Sequence, residues 1–179
     1  GLTELPINTK VALFVARFSR EKGIHNLIDI IQSDMGGWHY IVIGDGPMAL
    51  EFECQTQSKA NIITRLKKVN NLNLPIYYSS ADILMFGPAD KDYLGRTAIE
   101  CLSCGTPVLI YNESTYFGSI ERLTIANNIE SGILLVEAPL ENCKKIMESI
   151  RNDTINFDHE KIRQTAELNY SDSNGKCFL

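Results

Sequence analysis

The chain has 179 residues, enough for one domain or a tight pair, and its 44% apolar and 22% charged residues are the balance of an ordinary soluble globular protein. Seventeen Lys and Arg against 22 Asp and Glu leave a formal charge of −5, which argues against a general nucleic-acid binder and against a polybasic membrane patch. No apolar run reaches the roughly 18 residues of a membrane span, and Gly1–Lys10 lacks the basic-then-apolar order of a signal peptide. Five cysteines, odd in number and sparse, read as reduced intracellular thiols.

Strand-length apolar runs alternate with helix-period segments. Val11–Val15 is continuous rather than alternating, as in a strand buried on both faces. A polar turn, Arg17–Gly23, follows, and then Ile24, Leu27, Ile28 and Ile31 fall on one helical face. Tyr40–Ile43 predicts a second buried strand, ended by Gly44-Asp45-Gly46-Pro47, with a helix from Pro47 to about Lys59. Ile62-Ile63 is a weaker strand signal, and Asn70–Ser80, with Pro75, a short helix or turn at best. Ile83–Phe86 predicts a strand, and polar Gly87–Gly95 leads into a helix near Thr97–Cys104, stopped by Gly105 and Pro107. Val108–Ile110 and Ile133–Val136 are the last strands; helices are expected around Leu140–Ile150 and Asp158–Leu168, with a frayed end from Asn169. Strands alternating with helices predict an α/β fold, a doubly wound Rossmann-like parallel sheet of about six strands with helices on both faces. In such sheets ligands bind beyond the carboxyl ends of the strands, so the chemistry is sought in the turns there.

The first such turn carries Arg17, Arg20 and Lys22 at the entry to a helix. It reads either as an anion site or as a solvated basic turn. The second, Gly44–Pro47, allows close backbone approach, yet no third glycine follows to complete a dinucleotide fingerprint. The third places Asp92 before a helix and Glu100 within it. Backbone N–H groups at Leu94–Arg96 suit an anion, and the carboxylates suit sugar hydroxyls. Asp92 also reads as a plain N-terminal helix charge, whereas Glu100, beside Ile99 and Leu102, is costly unless bonded. Asp90-Lys91-Asp92 has the short pattern that holds a divalent metal elsewhere, but three residues arise easily by chance, and no metal is expected. Cys101 and Cys104 have redox or zinc spacing without a second pair, and His25, His39 and His159 are scattered; the two thiols read as small core residues.

Taken together, the turns resemble the C-terminal, donor-binding domain of family 4 retaining GT-B glycosyltransferases. The stretch Val11–Gly23 looks like the family's strand, Gly-Arg-Leu and Lys-Gly segment, and Ile41–Pro47 is similar to its Ile-Val-Gly-x-Gly-Pro. Tyr77–Met85 resembles its Tyr-Tyr-x-x-Ala-Asp-Val strand entry, and Ser131–Val136 its Asn-Gly-Leu-Leu-Val strand. Most specific is Asp92–Val108, which resembles Glu-x-Phe-Gly-x(4)-Glu-Ala-x-x-x-Gly-x-Pro-Val. The match runs in order from about Val11 to Arg163.

The resemblance implies that residues 1–179 form one donor-binding domain of a hexosyltransferase-type enzyme of polysaccharide or glycoconjugate biosynthesis. Such an enzyme would move a sugar from a nucleoside diphosphate sugar, of UDP or GDP type, to an acceptor hydroxyl with retention. Arg17 and Lys22 would bind the diphosphate and stabilise the leaving group, and Asp92 would bond the donor sugar; these three are the implied catalytic residues. Gly46, Leu94, Gly95 and Arg96 would help bind the donor, Glu100 would accept from the ribose, and the turn Arg65–Val69, with Lys67, would lie by the base. No cofactor or metal is implied. The implied partners are the nucleotide sugar and an N-terminal acceptor domain outside this chain, with no nucleic acid. The expected location is cytoplasmic, the parent lying at the inner face of the membrane when it acts on lipid-linked sugars. The chain departs from the family pattern at Asp92, where Glu is usual, at Ala16 for Gly and at Leu94 for Phe. Those departures motivate the alternative of a non-catalytic nucleotide-binding or interaction module on the same fold. A sugar-nucleotide epimerase is more distant, because His25 and His39 do not follow strand ends.

Overall fold

Val11, Ala12, Leu13 and Phe14 are all buried, which demands cover on both faces of the strand they form. The computed structural model describes residues 5–86, 95–112, 129–137 and 139–170 and supplies that cover. The strands are β1 (Lys10–Val15), β2 (Trp38–Ile43), β3 (Ile63–Leu66), β4 (Ile83–Phe86), β5 (Val108–Asn112) and β6 (Ile133–Glu137). The α-helices are α1 (Ile24–Gln32), α2 (Ala49–Thr56), α3 (Leu74–Ser79), α4 (Arg96–Ser103), α5 (Glu141–Arg151) and α6 (His159–Tyr170). All pairings are parallel, and the sheet order is β3-β2-β1-β4-β5-β6.

The pleat of β1 divides the core. Ala12 and Phe14 pack with α1 (Ile24, Leu27, Ile28, Ile31) and α5 (Cys143, Met147, Ile150) on one face. Val11 and Leu13 pack with Tyr78 of α3, Ala98, Cys101 and Leu102 of α4, and Ile162 and Ala166 of α6 on the other. The sequence reading of six parallel strands between two helical layers is the fold observed. Two segments are better formed than their signals. The weak strand is β3, an edge strand whose four residues are all only half-buried, so its apolar pattern is diluted. Asn70–Ser80 holds a 3₁₀ turn at Asn71–Asn73, where the Asn70 side chain accepts from the Leu72 amide at 3.0 Å, and then α3 with Pro75 in its first turn. The helix expected from Pro47 to Lys59 is shorter, ending at Thr56 and passing into a 3₁₀ segment, Gln57–Ile62.

The chain winds outward from β1 to β3, then returns past β1 to begin again at β4. The joint between the two halves is the β1–β4 ladder. Its register pairs only Ala12 with Ile83 and Leu13 with Leu84, whereas β1 and β2 are paired from Lys10–Trp38 to Val15–Ile43. Asp82 lengthens that joint below: its carboxylate accepts from the Val11 amide at 2.7 Å, and its own amide donates to the Val11 carbonyl at 2.9 Å. Cys54, Cys101, Cys104 and Cys143 are free thiols, and burial pushes Cys143 up to about 12.

His39, buried on β2, meets the Thr64 hydroxyl at 2.8 Å, and burial holds its pKa below the ordinary 6.5. Protonation is therefore easier in the unfolded chain. Stability is full above pH 6.5 and falls as pH is lowered through that value toward the folded-state pKa. Urea midpoints from pH 7.5 to 5 are expected to show this fall, and His39→Gln to flatten it.

Candidate functional site

Above the joint, where the turns after β1 and β2 face the start of α4, a cleft of about 330 Å³ opens. That is the size of a small-molecule site, about 300–1,000 Å³, and the switch point of a doubly wound sheet is where such sites form. Val15, Ala16 and Ile43 line it from the strand ends, Gly44 and Asp45 from the second turn, and Arg96, Thr97 and Glu100 from α4.

The wall formed by the first two turns is held by backbone contact. The Ala16 amide donates to the Ile43 carbonyl at 3.1 Å, the Phe18 amide to the Asp45 carbonyl at 2.9 Å, and the Met48 amide to the Phe18 carbonyl at 3.1 Å. Gly44 has φ +140°, and a Cβ there would stand 1.9 Å from the Ala16 carbonyl oxygen. Gly46 makes similar room for the Phe18 backbone, whose carbonyl oxygen would lie 2.5 Å from an added Cβ. Phe18 belongs to a turn whose composition reads as polar, yet it is fully buried. Its ring meets Phe14 and Phe52 edge-on, with centroids 6.2 and 5.3 Å away, and the Arg65 guanidinium lies over it at 4.2 Å. Arg65 also donates to the Gly44 and Leu66 carbonyls and stands 3.6 Å from the Asp45 carboxylate.

The charges around the cleft run opposite to the chain as a whole. Arg17, Lys67, Lys68 and Arg96 line it against the carboxylates of Asp45 and Glu100. The positive end of α4 adds to them: Gly95 is its N-cap in extended conformation, with no side-chain cap bond. An anion entering here meets fixed cations and a helix N-terminus together. Glu100 is held by the Tyr78 phenol, which donates to Oε2 at 3.0 Å. This answers how a carboxylate is kept in that largely apolar helix. Burial, and then the charge of Glu100, pushes the Tyr78 phenol well above its ordinary range, so it stays protonated and donating at neutral pH.

The residues singled out from the sequence divide as follows. Arg17, Lys67, Arg96 and Glu100 come together on the cleft, and Gly95 caps the helix beside it. Lys22 lies in the 3₁₀ turn Arg20–Lys22, and Gly46 beneath the first turn; neither lines the cleft. Lys22 and Arg17 do share a neighbour. The Glu21 carboxyl is held below its usual range by the Ser19 hydroxyl first, then by its own backbone, with Arg17 and Lys22 adding to it. Asp92 and Leu94, with Asp90, lie outside the described residues. Within Arg65–Val69, Lys67, Lys68 and Val69 reach the cleft, whereas Arg65 is turned to backbone carbonyls. Sequence reasoning missed Asn71, Leu74 and Tyr78 as lining residues. Tyr78 was legible only as part of a strand entry; the signal for it was the unmet need of Glu100 for a donor. Among the described residues no cluster of three His, Cys, Asp or Glu could hold a metal, and no helix is long and apolar enough to cross a membrane.

A doubly wound sheet with a cationic cleft at its switch point defines an α/β domain whose cleft has the size and charge to take a small anion. The chain belongs to the glycosyl transferases group 1 family, whose model matches residues 3–165. It is 29% identical over 124 residues to the putative teichuronic acid biosynthesis glycosyltransferase TuaC of Bacillus subtilis, covering 68% of this chain and 30% of that protein. It is 27% identical over 157 residues to an uncharacterized 41.2 kDa protein of the cps region of Klebsiella pneumoniae, covering 87% of this chain and 40% of that one. Among solved structures, Anabaena Alr3699/HepE in complex with UDP superposes with a TM-score of 0.74 at 18% identity, over 91% of this chain and 45% of that one. At that identity the likeness carries the fold, which is that of one half of a GT-B glycosyltransferase. The chain thus spans less than half the length of these relatives.

The wall depends on Phe18. Phe18→Ala is expected to lower stability by about 3–5 kcal/mol, the cost of emptying a fully buried aromatic site. Gly44→Ala, which forces the two turns apart, is expected to cost ~2 kcal/mol or more. Urea unfolding measures both.

Proposed function

We propose that this chain is the C-terminal, donor-binding half of a retaining glycosyltransferase of family 4. It holds a nucleoside diphosphate sugar while the sugar passes to an acceptor hydroxyl bound on a separate N-terminal domain. The observation that carries this reading is the cleft itself: four cations and the N-terminus of α4 face it together, and the carboxylate of Glu100 lines the same cleft. As the bond to the sugar breaks, negative charge builds on the departing diphosphate. Arg17 and the first-turn amides of α4 stabilise that charge without reorganising. Glu100 accepts from the ribose, and Lys67–Val69 lie by the base. Asp92 bonds the sugar. Lys22 supports the diphosphate from the turn beside Arg17. These fixed charges replace a metal, and no cofactor takes part.

The UDP-type donor is favoured because UDP is the ligand named for the HepE structure that shares this fold. Bound alone, this half takes up nucleotide and leaves the sugar untransferred, for want of an acceptor site. On this reading the parent is a cytoplasmic enzyme of polysaccharide or glycoconjugate biosynthesis, lying at the inner face of the membrane when it acts on lipid-linked sugars.

Calorimetric titration with UDP, GDP and ADP, and with their glucose conjugates, tests the reading. Saturable binding of UDP is expected, and a folded sample that binds none of these would sink the proposal. Arg17→Ala is expected to weaken UDP binding by ~1–3 kcal/mol, the loss of a charge-assisted hydrogen bond, and Lys22→Ala by about 1 kcal/mol. Because the cleft is open to solvent, raising the salt from 0.05 to 0.5 M (which shortens the screening length roughly threefold) is expected to weaken UDP binding in the wild type more than in Arg17→Ala.

A further inference from the structure

Tyr78 is 1% exposed, and a buried phenol requires an acceptor. The acceptor it has is a cleft-lining carboxylate on a different helix, Glu100 Oε2 at 3.0 Å. A second link joins the same two segments. Thr106, 2% exposed and just past α4, donates its hydroxyl to the Tyr78 backbone carbonyl at 2.7 Å. Thr106 is in turn fixed to α4, its amide donating to the Cys101 carbonyl at 3.1 Å and its carbonyl accepting from the Cys101 thiol at 3.6 Å. Tyr78 is therefore held to the α4 segment through its backbone and through its side chain.

Two attachments fix an angle where one would leave a pivot. With α3 held to the end of α4 by Thr106, the phenol is directed at Glu100, and its bond orients the carboxylate. Oε2 accepts from Tyr78, and the remaining lone pairs of the carboxylate, both of those on Oε1 among them, can accept from a ligand in the cleft. A glutamate on the first turns of a helix otherwise has three freely rotating torsions and would sample solvent. We propose that Tyr78 is the positioning residue of the site: it orients Glu100 so that the cleft reads the vicinal hydroxyls of a ribose, and it thereby sets selection for ribonucleoside over deoxyribonucleoside diphosphates. This rests on the nucleotide reading given above. Tyr78 lines the cleft but is 1% exposed, and it acts on the ribose through Glu100.

The test measures binding of UDP and of 2′,3′-dideoxyuridine diphosphate to the whole 179-residue chain. Wild type is expected to prefer UDP by about tenfold or more, as a site built to bond a hydroxyl rejects a ligand lacking it. Tyr78→Phe keeps the ring in the core and removes only the donor. It is expected to weaken UDP about fivefold, the value of one hydrogen bond, and to leave the dideoxy analogue within about twofold of wild type. In a Glu100→Ala background, which leaves no acceptor to orient, the same change should have no further effect on the ratio, because the two residues act as one unit. A merely structural tyrosine would weaken both ligands alike; an unchanged ratio in Tyr78→Phe therefore overturns the proposal. If Tyr78→Phe does not fold, Thr106→Val releases the second attachment and should lower the same ratio, and an unchanged ratio there overturns it equally. A folded wild type that binds neither ligand defeats the nucleotide reading itself, and this inference with it. Wild type that binds UDP with no ratio change in the variants defeats the inference alone.

Discussion

Two turns that follow neighbouring parallel strands must lie against each other, and here they lie too close for side chains. Gly44 meets the Ala16 carbonyl and Gly46 the Phe18 backbone, so the turns after β1 and β2 are joined by hydrogen bonds through their main chains. Phe18 and Arg65 close the rear of this contact, one by filling the core and the other by bonding the carbonyls of Gly44 and Leu66. A rigid wall results, and Arg17 stands at its free edge. The cationic rim owes its position to backbone packing more than to any pairing among the charges.

The opposite wall is built differently. Helix α4 buries Ala98, Cys101 and Leu102 against the sheet and turns Arg96, Thr97 and Glu100 toward the cleft. Behind it lies α6, with Gly105 so close that an added Cβ would come within 2.7 Å of the His159 carbonyl oxygen. The His159 ring meets the Gly105 carbonyl at 2.9 Å. One wall is thus locked through turns and the other is wedged between layers. Anion recognition in a chain of net charge −5 is possible because four of its cations are gathered where the two walls meet.

Much of this was legible in the sequence. Uninterrupted apolar runs named the buried strands, and the order of strands and helices gave the winding and therefore the rim on which to look. Arg17, Arg96 and Glu100 were visible because each sits just beyond a strand or within the helix after one. What escaped has a common cause. Phe18 was hidden in a polar turn because one buried ring among five charged or polar neighbours has no period. Edge strand β3, half-buried throughout, lost the apolar signature that β1 and β2 carry. Lys67 and Lys68 line the cleft while Lys22 does not, a distinction that depends on which turn points inward. The need of Glu100 for a donor could be argued from its surroundings, but the identity of Tyr78 could not. The two are 22 residues apart and meet only because α3 and α4 pack side by side.

The short ladder between β1 and β4 has a mechanical meaning. Every other joint in the left half of the sheet is longer, and here the two halves are stitched by Ala12–Ile83 and Leu13–Leu84, with the Asp82 carboxylate standing in for a further strand residue at the lower end. At the upper end nothing equivalent is supplied by the described residues, and the cleft begins there. A molecule lying in it would touch Arg17 on one half and Glu100 on the other, segments 83 residues apart in the chain and carried by separate windings. It would act as the missing rung: a clasp across the seam, whose grip and the firmness of the seam beneath it are one quantity seen from two sides.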